Sequence, residues 1–209
     1  MRVDSPVPRH LRHSALVRVT HWTTAASFVA LLVSGIAILL AHPRLYWGET
    51  GAVGTPSLLD LPLPFLLTGQ SGWGRYLHFL SAWVCVLVGV VYVFGSPRHF
   101  REDLFRVQMV EPAKYDLLQR LTYIAVVFVL FPLMTWTGLA MSPAVTSVFP
   151  VIVTVLGGQQ SARTIHFIVA SALVLFLVGH IVMVCLAGFT RRVGGMIFGA
   201  ESPVRESQA

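Results

Sequence analysis

His166 and His180 stand fourteen residues apart inside one long apolar stretch. At about 100° and 1.5 Å per helical residue, that separation brings both imidazoles to one face, roughly 40° short of alignment and about 21 Å apart along the axis. Two other apolar stretches carry one histidine each, His21 and His78. His21 and His180 lie roughly 9 to 13 Å inside the same end of their stretches, whereas His78 and His166 lie only about four residues inside the opposite end. Imidazole ligates metals through a neutral ring nitrogen, and four imidazoles pairable across neighbouring helices at two heights match two stacked b-type haems. Two axial histidines per iron leave no position open for oxygen or substrate, which favours electron transfer over oxygen chemistry.

Arg18, Arg75 and Arg163 each precede a histidine by three residues, giving Arg-x-x-His at His21, His78 and His166. Three residues back is one turn closer to the nearer membrane surface. A guanidinium there can snorkel and pair with a haem propionate; its plainer role is that of a helix-end anchor. Gly35 follows His21 by fourteen residues and Gly89 follows His78 by eleven, so each shares its histidine's face at the depth of the other haem. A missing side chain at those points would make room for a porphyrin, although glycine also serves close helix contacts in membranes. His10, His13, His42 and His99 fall in tails or loops and read as solvated.

The elements that position these residues follow from composition. Of the 209 residues 55% are hydrophobic and 11% charged, with mean hydropathy +0.72, too few charges to cover a water-facing surface, since soluble domains carry about 25%. The chain reads as an all-α integral membrane protein. Four segments reach the roughly 20 apolar residues a span requires: Ala15 to Leu40, Tyr76 to Phe94, Leu121 to Met141 and Ile165 to Phe189. They imply a four-helix bundle over residues 15–189, flanked by tails at 1–14 and 190–209. The first span follows a long polar lead, is too long for a signal-peptide core and lacks a small-residue cleavage pattern, so the sequence predicts that it is retained.

The net charge of +6 reports topology rather than a nucleic-acid partner. Twelve of fifteen basic residues fall before or in the first turn of the first span, between the second and third, or after the fourth; only Arg44, Arg75 and Arg163 fall elsewhere. The positive-inside rule then places both termini in the cytoplasm, in a multi-pass protein of the bacterial inner membrane. The run Val145 to Leu156 is too short to span, is interrupted by Pro150 and ends in Gly157-Gly158, so it reads as interfacial. The loop from Ala41 to Gly74 reads as irregular, with Leu58 to Leu67 lying along the interface. Cys85 and Cys185 fall within spans, and no C-x-x-C-H for covalent haem occurs.

The stretches Arg18-Val19-Thr20-His21-Trp22, Ser34-Gly35, Arg75-Tyr76-Leu77-His78-Phe79, Thr137-Gly138-Leu139 and Arg163 to His166 with His180 resemble the prokaryotic cytochrome b561 and Ni,Fe-hydrogenase b-type cytochrome family. That family includes the cytochrome b subunits of formate dehydrogenase and of thiosulfate reductase-like enzymes. The resemblance covers about Leu16 to Phe189. It implies two non-covalent haem b groups in a subunit that is not itself catalytic and that passes electrons between the quinone pool and a periplasmic molybdopterin or hydrogenase-type partner. The family's stretch near bound menaquinone is matched by Lys114-Tyr115-Asp116-Leu117-Leu118-Gln119-Arg120, with Asp116 in place of asparagine and Leu118 in place of glycine. Asp116, Gln119 and His13 are the candidate quinone residues; a carboxylate accepts a quinol proton but, when ionised, donates no hydrogen bond, and Asp116 also suits a helix cap.

Two alternatives remain open at this stage. One is a stand-alone quinone-reducing oxidase that reacts with superoxide, and the other a haem-free anchor or transporter with histidine relays. Large outer loops favour a docked partner over the first, and the Arg-x-x-His pattern favours haem over the second.

Overall fold

A computed structural model describes residues 14–51, 54–61, 71–95, 121–122 and 124–199. Helix α1 covers Ala15–Ala41 and starts where the Ser14 hydroxyl accepts the Val17 N–H at 3.3 Å, so a side chain satisfies one of the free amides at the helix start. Strands β1, Arg44–Leu45, and β2, Leu59–Asp60, pair antiparallel, and α2 follows over Ser71–Gly95. The third transmembrane candidate is discontinuous. A π turn at Val126–Leu130 precedes helix α3, Phe131–Ala140. The break has a cause in Pro132, which lacks an N–H and whose ring crowds the carbonyl four residues back; the wider turn, closed by the Phe131 N–H on the Val126 carbonyl, absorbs that clash.

Two four-residue helices, α4 at Pro143–Thr146 and α5 at Val151–Thr154, occupy the run Val145 to Leu156. They are far shorter than a span. Helix α6 runs Gln159–Leu186 and begins six residues before the expected start at Ile165, because Gln159 to Thr164, too polar to score as membrane core, are tied down by the preceding loop. Helix α7, Phe189–Phe198, forms where the sequence suggests only a tail.

Three helices, Ala15–Ala41, Gly72–Gly95 and Gln159–Leu186, are long and apolar enough to cross a membrane, and the segment Val126–Ala140 is a shorter apolar one. Their packing is inverted relative to a soluble bundle. Ser27, Ser34, Ala37, Ser81, Thr137, Ala140, Ser161 and Ala162 are buried, while Val33, Tyr76, Phe94, Leu175 and Leu186 are exposed. Small residues let helix backbones approach, and large apolar ones face lipid. Thr20, Ser34 and Thr137 return their hydroxyl proton to their own helix, Thr20 to the Leu16 carbonyl at 2.8 Å.

Helix α1 packs along α2, and α3 packs along α6. A buried cluster of Val126, Val169 and Leu173, joined by Phe28 and Phe176, ties α1 to the α3–α6 pair at mid-height.

Candidate functional site

The four intramembrane histidines meet in two pairs. His21 of α1 and His180 of α6 have ring centroids 6.4 Å apart, and His78 of α2 and His166 of α6 are 6.1 Å apart. Two imidazoles on opposite sides of one metal ion, with bonds of about 2 Å and centroids about 1.1 Å behind each ligating nitrogen, stand about 6 Å apart. Both pairs match that separation, so the residues present fit axial ligation of two haems. Helix α6 supplies one histidine to each pair because of its fourteen-residue spacing. Leu173 lies midway between its two histidines and Phe28 lies midway between His21 and Gly35, so an apolar layer separates the levels. Phe176 stacks on His180 with centroids 6.0 Å apart.

The hydrogen bonds of the outer pair are defined. Ser34 Oγ lies 3.0 Å from His78 Nδ1, and Thr137 Oγ1 lies 2.9 Å from His166 Nδ1. Sequence reasoning missed both hydroxyls. Their one visible signal is that Ser34 and Thr137 each precede a glycine on a membrane helix. Gly35 is adjacent to the His78 ring, where an added Cβ would sit 3.7 Å from Cε1, and Gly138 is placed in the same way, 3.7 Å from Cε1 of His166. Gly35 is therefore at the level of the opposite histidine pair from His21, as its spacing indicates. Among the described residues nothing lies within 4 Å of a Cβ built on Gly89.

The arginines occupy the two ends. Arg18 donates from a terminal nitrogen to the Ile197 carbonyl at 2.8 Å, and Trp22 donates to the Met196 carbonyl at 3.2 Å, which fastens α7 to the start of α1. Arg18 Nε is buried and has no hydrogen-bond partner among the described residues. A buried unpaired donor is costly, and a propionate oxygen beside the inner pair is the type of acceptor it would satisfy. At the outer end Arg163 donates to the backbone carbonyl of His42. Partial burial first, then the charges of Arg163 and Arg75, hold the His42 imidazole below its ordinary pKa. His42 is exposed, as a loop histidine should be, yet it shares this cationic end with both arginines.

A strap from the first outer loop closes over α6. Gly48 accepts from the Gln160 and Ser161 amides at 3.0 and 3.3 Å, its own amide donates to Ser161 Oγ at 2.8 Å, and Thr164 Oγ1 donates to the Tyr46 carbonyl at 2.6 Å. Free amides at a helix start need acceptors, and here the loop provides them. Leu45, 1% exposed, anchors the strap, and Arg44 and Asp60 pair across the ribbon at 3.1 Å. The expected irregular loop thus contains a two-stranded ribbon, in which Leu59 and Asp60 pair with Leu45 and Arg44; residues 62–67 of the expected interfacial stretch lie outside the described residues. Asp116, Gln119 and His13 lie outside the described residues.

Residues 12–199 match the family model described as prokaryotic cytochrome b561. The chain is also similar to a protein of Azospira oryzae named "Putative protein-methionine-sulfoxide reductase subunit YedZ1", with 28% identity over 198 residues covering 83% of this chain and 90% of the relative. This is a multi-pass b-haem protein of the inner membrane, active in electron transport, and it belongs to the prokaryotic cytochrome b561 family.

Proposed function

We propose that the chain is the membrane dihaem subunit of a two-part oxidoreductase and links the quinone pool to a catalytic subunit in the periplasm. The observation that carries this reading is the pair of histidine pairs built on α6, each at the separation two axial ligands take. Haem b, when bound, supplies reversible one-electron storage. His21 and His180 hold the inner group and His78 and His166 the outer one. Arg18 pairs with an inner propionate, and Arg75 and Arg163 with outer ones. Gly35 and Gly89 leave space for the ring edges.

Four spans with both termini in the cytoplasm put the second pair near the periplasm. Asp116, Gln119 and His13 then lie on the cytoplasmic side, where Asp116 takes up a quinol proton; Asp116→Ala should slow haem reduction by quinol without altering either spectrum. The relative's name describes a subunit of a protein-methionine-sulfoxide reductase, which supports a subunit role here; the partner in this reading is of the molybdopterin or hydrogenase type.

The decisive experiment is haem stoichiometry. Pyridine haemochrome analysis against protein mass should give two acid-acetone-extractable haems per chain, with low-spin spectra. His78→Ala or His166→Ala should remove one spectral component, and His21→Ala or His180→Ala the other. A folded wild-type chain with one haem or none would overturn the reading.

A further inference from the structure

We propose that Ser34 and Thr137 are positioning residues that fix the tautomer of the outer histidines and strengthen them as ligands. The proposal rests on the dihaem reading and goes beyond it by giving the outer level an electronic setting of its own. The two sites are built alike. In α1 the dipeptide Ser34-Gly35 faces His78 of α2, with oxygen to Nδ1 3.0 Å and a Cβ added at the glycine 3.7 Å from Cε1; in α3 the dipeptide Thr137-Gly138 faces His166 of α6, at 2.9 and 3.7 Å. Both hydroxyl residues are fully buried, at 0% exposure.

Proton accounting determines who donates. A hydroxyl has one proton. Ser34 Oγ lies 2.7 Å from the Ala30 carbonyl, and Thr137 Oγ1 lies 2.8 Å from the Leu133 carbonyl. A carbonyl donates nothing, so each of these contacts takes the hydroxyl proton. The hydroxyl oxygen is then left as an acceptor toward the imidazole, and a neutral ring facing it carries its proton on Nδ1. The lone pair is on Nε2, the nitrogen left for iron. The tautomer that would block ligation, with the proton on Nε2, would set two lone pairs against each other at about 3 Å. An Nδ1–H held by an acceptor also raises the basicity of the other nitrogen. A more basic axial ligand stabilises ferric over ferrous iron and lowers the haem's potential.

The glycines complete the arrangement. The imidazole is held at Nδ1 by the hydroxyl, while at Cε1 the glycine leaves a space that an added Cβ would fill at ordinary contact distance, 3.7 Å. Side chain and backbone come from one dipeptide, so a single helix orients the ligand borne by its neighbour. The two copies are carried by unrelated sequence, Val33-Ser34-Gly35-Ile36 and Trp136-Thr137-Gly138-Leu139, and share only the parts that touch the ring.

The test is a redox titration of the purified full chain with both haems bound, followed optically and by EPR. The outer component is first assigned as the one lost in His166→Ala. Thr137→Val preserves shape and removes the acceptor; Ser34→Ala removes the other. Each should raise the outer midpoint potential by an amount equal to a change of up to about tenfold in the reduction equilibrium, about 59 mV for one electron. The inner midpoint should stay in place, and Thr137→Ser should keep the wild-type value. If Thr137→Val loses the outer haem altogether while Thr137→Ser retains it, the hydroxyl is again shown to position the ligand. Full haem content with both potentials unmoved in Thr137→Val and Ser34→Ala would overturn the proposal, as would loss of haem in Thr137→Val and Thr137→Ser alike. A wild-type chain with fewer than two haems would instead overturn the dihaem reading beneath it.

Discussion

At the scale of single residues, the chain separates groups that hold a ligand from groups that leave space for it. Gly35 is of the second kind. An added Cβ would lie 3.7 Å from the His78 ring, ordinary van der Waals distance, so Gly35→Ala should keep two haems, whereas Gly35→Leu should displace the imidazole and bring the haem-to-protein ratio toward one. A ratio of two in Gly35→Leu would show that the ring has room to spare. The pairing of His21 with His180 and of His78 with His166, and the position of Gly35 beside the His78 ring, were legible in the sequence because spacing on a helix is a geometric quantity. Ser34 and Thr137 were not, since a buried hydroxyl on a membrane helix ordinarily bonds its own backbone and nothing in one sequence distinguishes those that also face a ring. Whether Arg18, Arg75 or Arg163 meets a propionate was equally hidden: Arg18 and Arg163 also bond backbone carbonyls that come from α7 and from the end of α1.

At the scale of elements, three of the four apolar runs fall in helices long enough to span, while the run Leu121 to Met141 contains the shorter apolar helix Val126–Ala140; α6 starts early because its polar first turn is stabilised by the Gly48 strap and not by its own composition. That dependence predicts a weak point. Gly158 has φ 110° and faces the Gly48 carbonyl, with an added Cβ only 2.6 Å from its carbon and oxygen. Gly158→Ala therefore combines an unfavourable backbone region with a clash, a cost of about 1–3 kcal/mol for the backbone alone. The expected result is a strap released from α6, seen as faster proteolysis within residues 42–51 and a lower midpoint for thermal loss of the outer haem. Unchanged cleavage would mean that the loop shifts without cost. The ribbon β1–β2 escaped sequence reading because two-residue strands in a loop rich in glycine and proline leave no periodicity to detect. Helix α7 escaped it because a ten-residue helix with two glycines inside it and one at each end has little propensity of its own and is fastened from outside by Arg18 and Trp22.

At the scale of the whole molecule, the aromatic residues Tyr46 and Trp47 on the strap and Phe149 in the second outer loop cover the end nearest His78 and His166, where a partner would dock. Reporter fusions should place Gly51 and Gly158 outside and Arg192 in the cytoplasm. Deleting residues 51–56 should leave haem content intact and reduce co-purification with the proposed periplasmic partner; quinone turnover that survives the deletion with no partner found would favour a protein that works alone. One further consequence comes from α6 carrying a ligand to both levels. Its fourteen residues span about 21 Å of a hydrocarbon core about 30 Å thick, so an electron exchanged between the levels crosses about two-thirds of the membrane's electric field. Since one charge across the full field corresponds to about 2.3 kcal/mol per 100 mV, that exchange is biased by about 1.5 kcal/mol for each 100 mV. In sealed vesicles poised at a fixed redox potential, collapsing the membrane potential should therefore redistribute reduction between the two spectral components. The histidine spacing would make this subunit generate or consume membrane voltage each time it turns over, with no proton-pumping machinery.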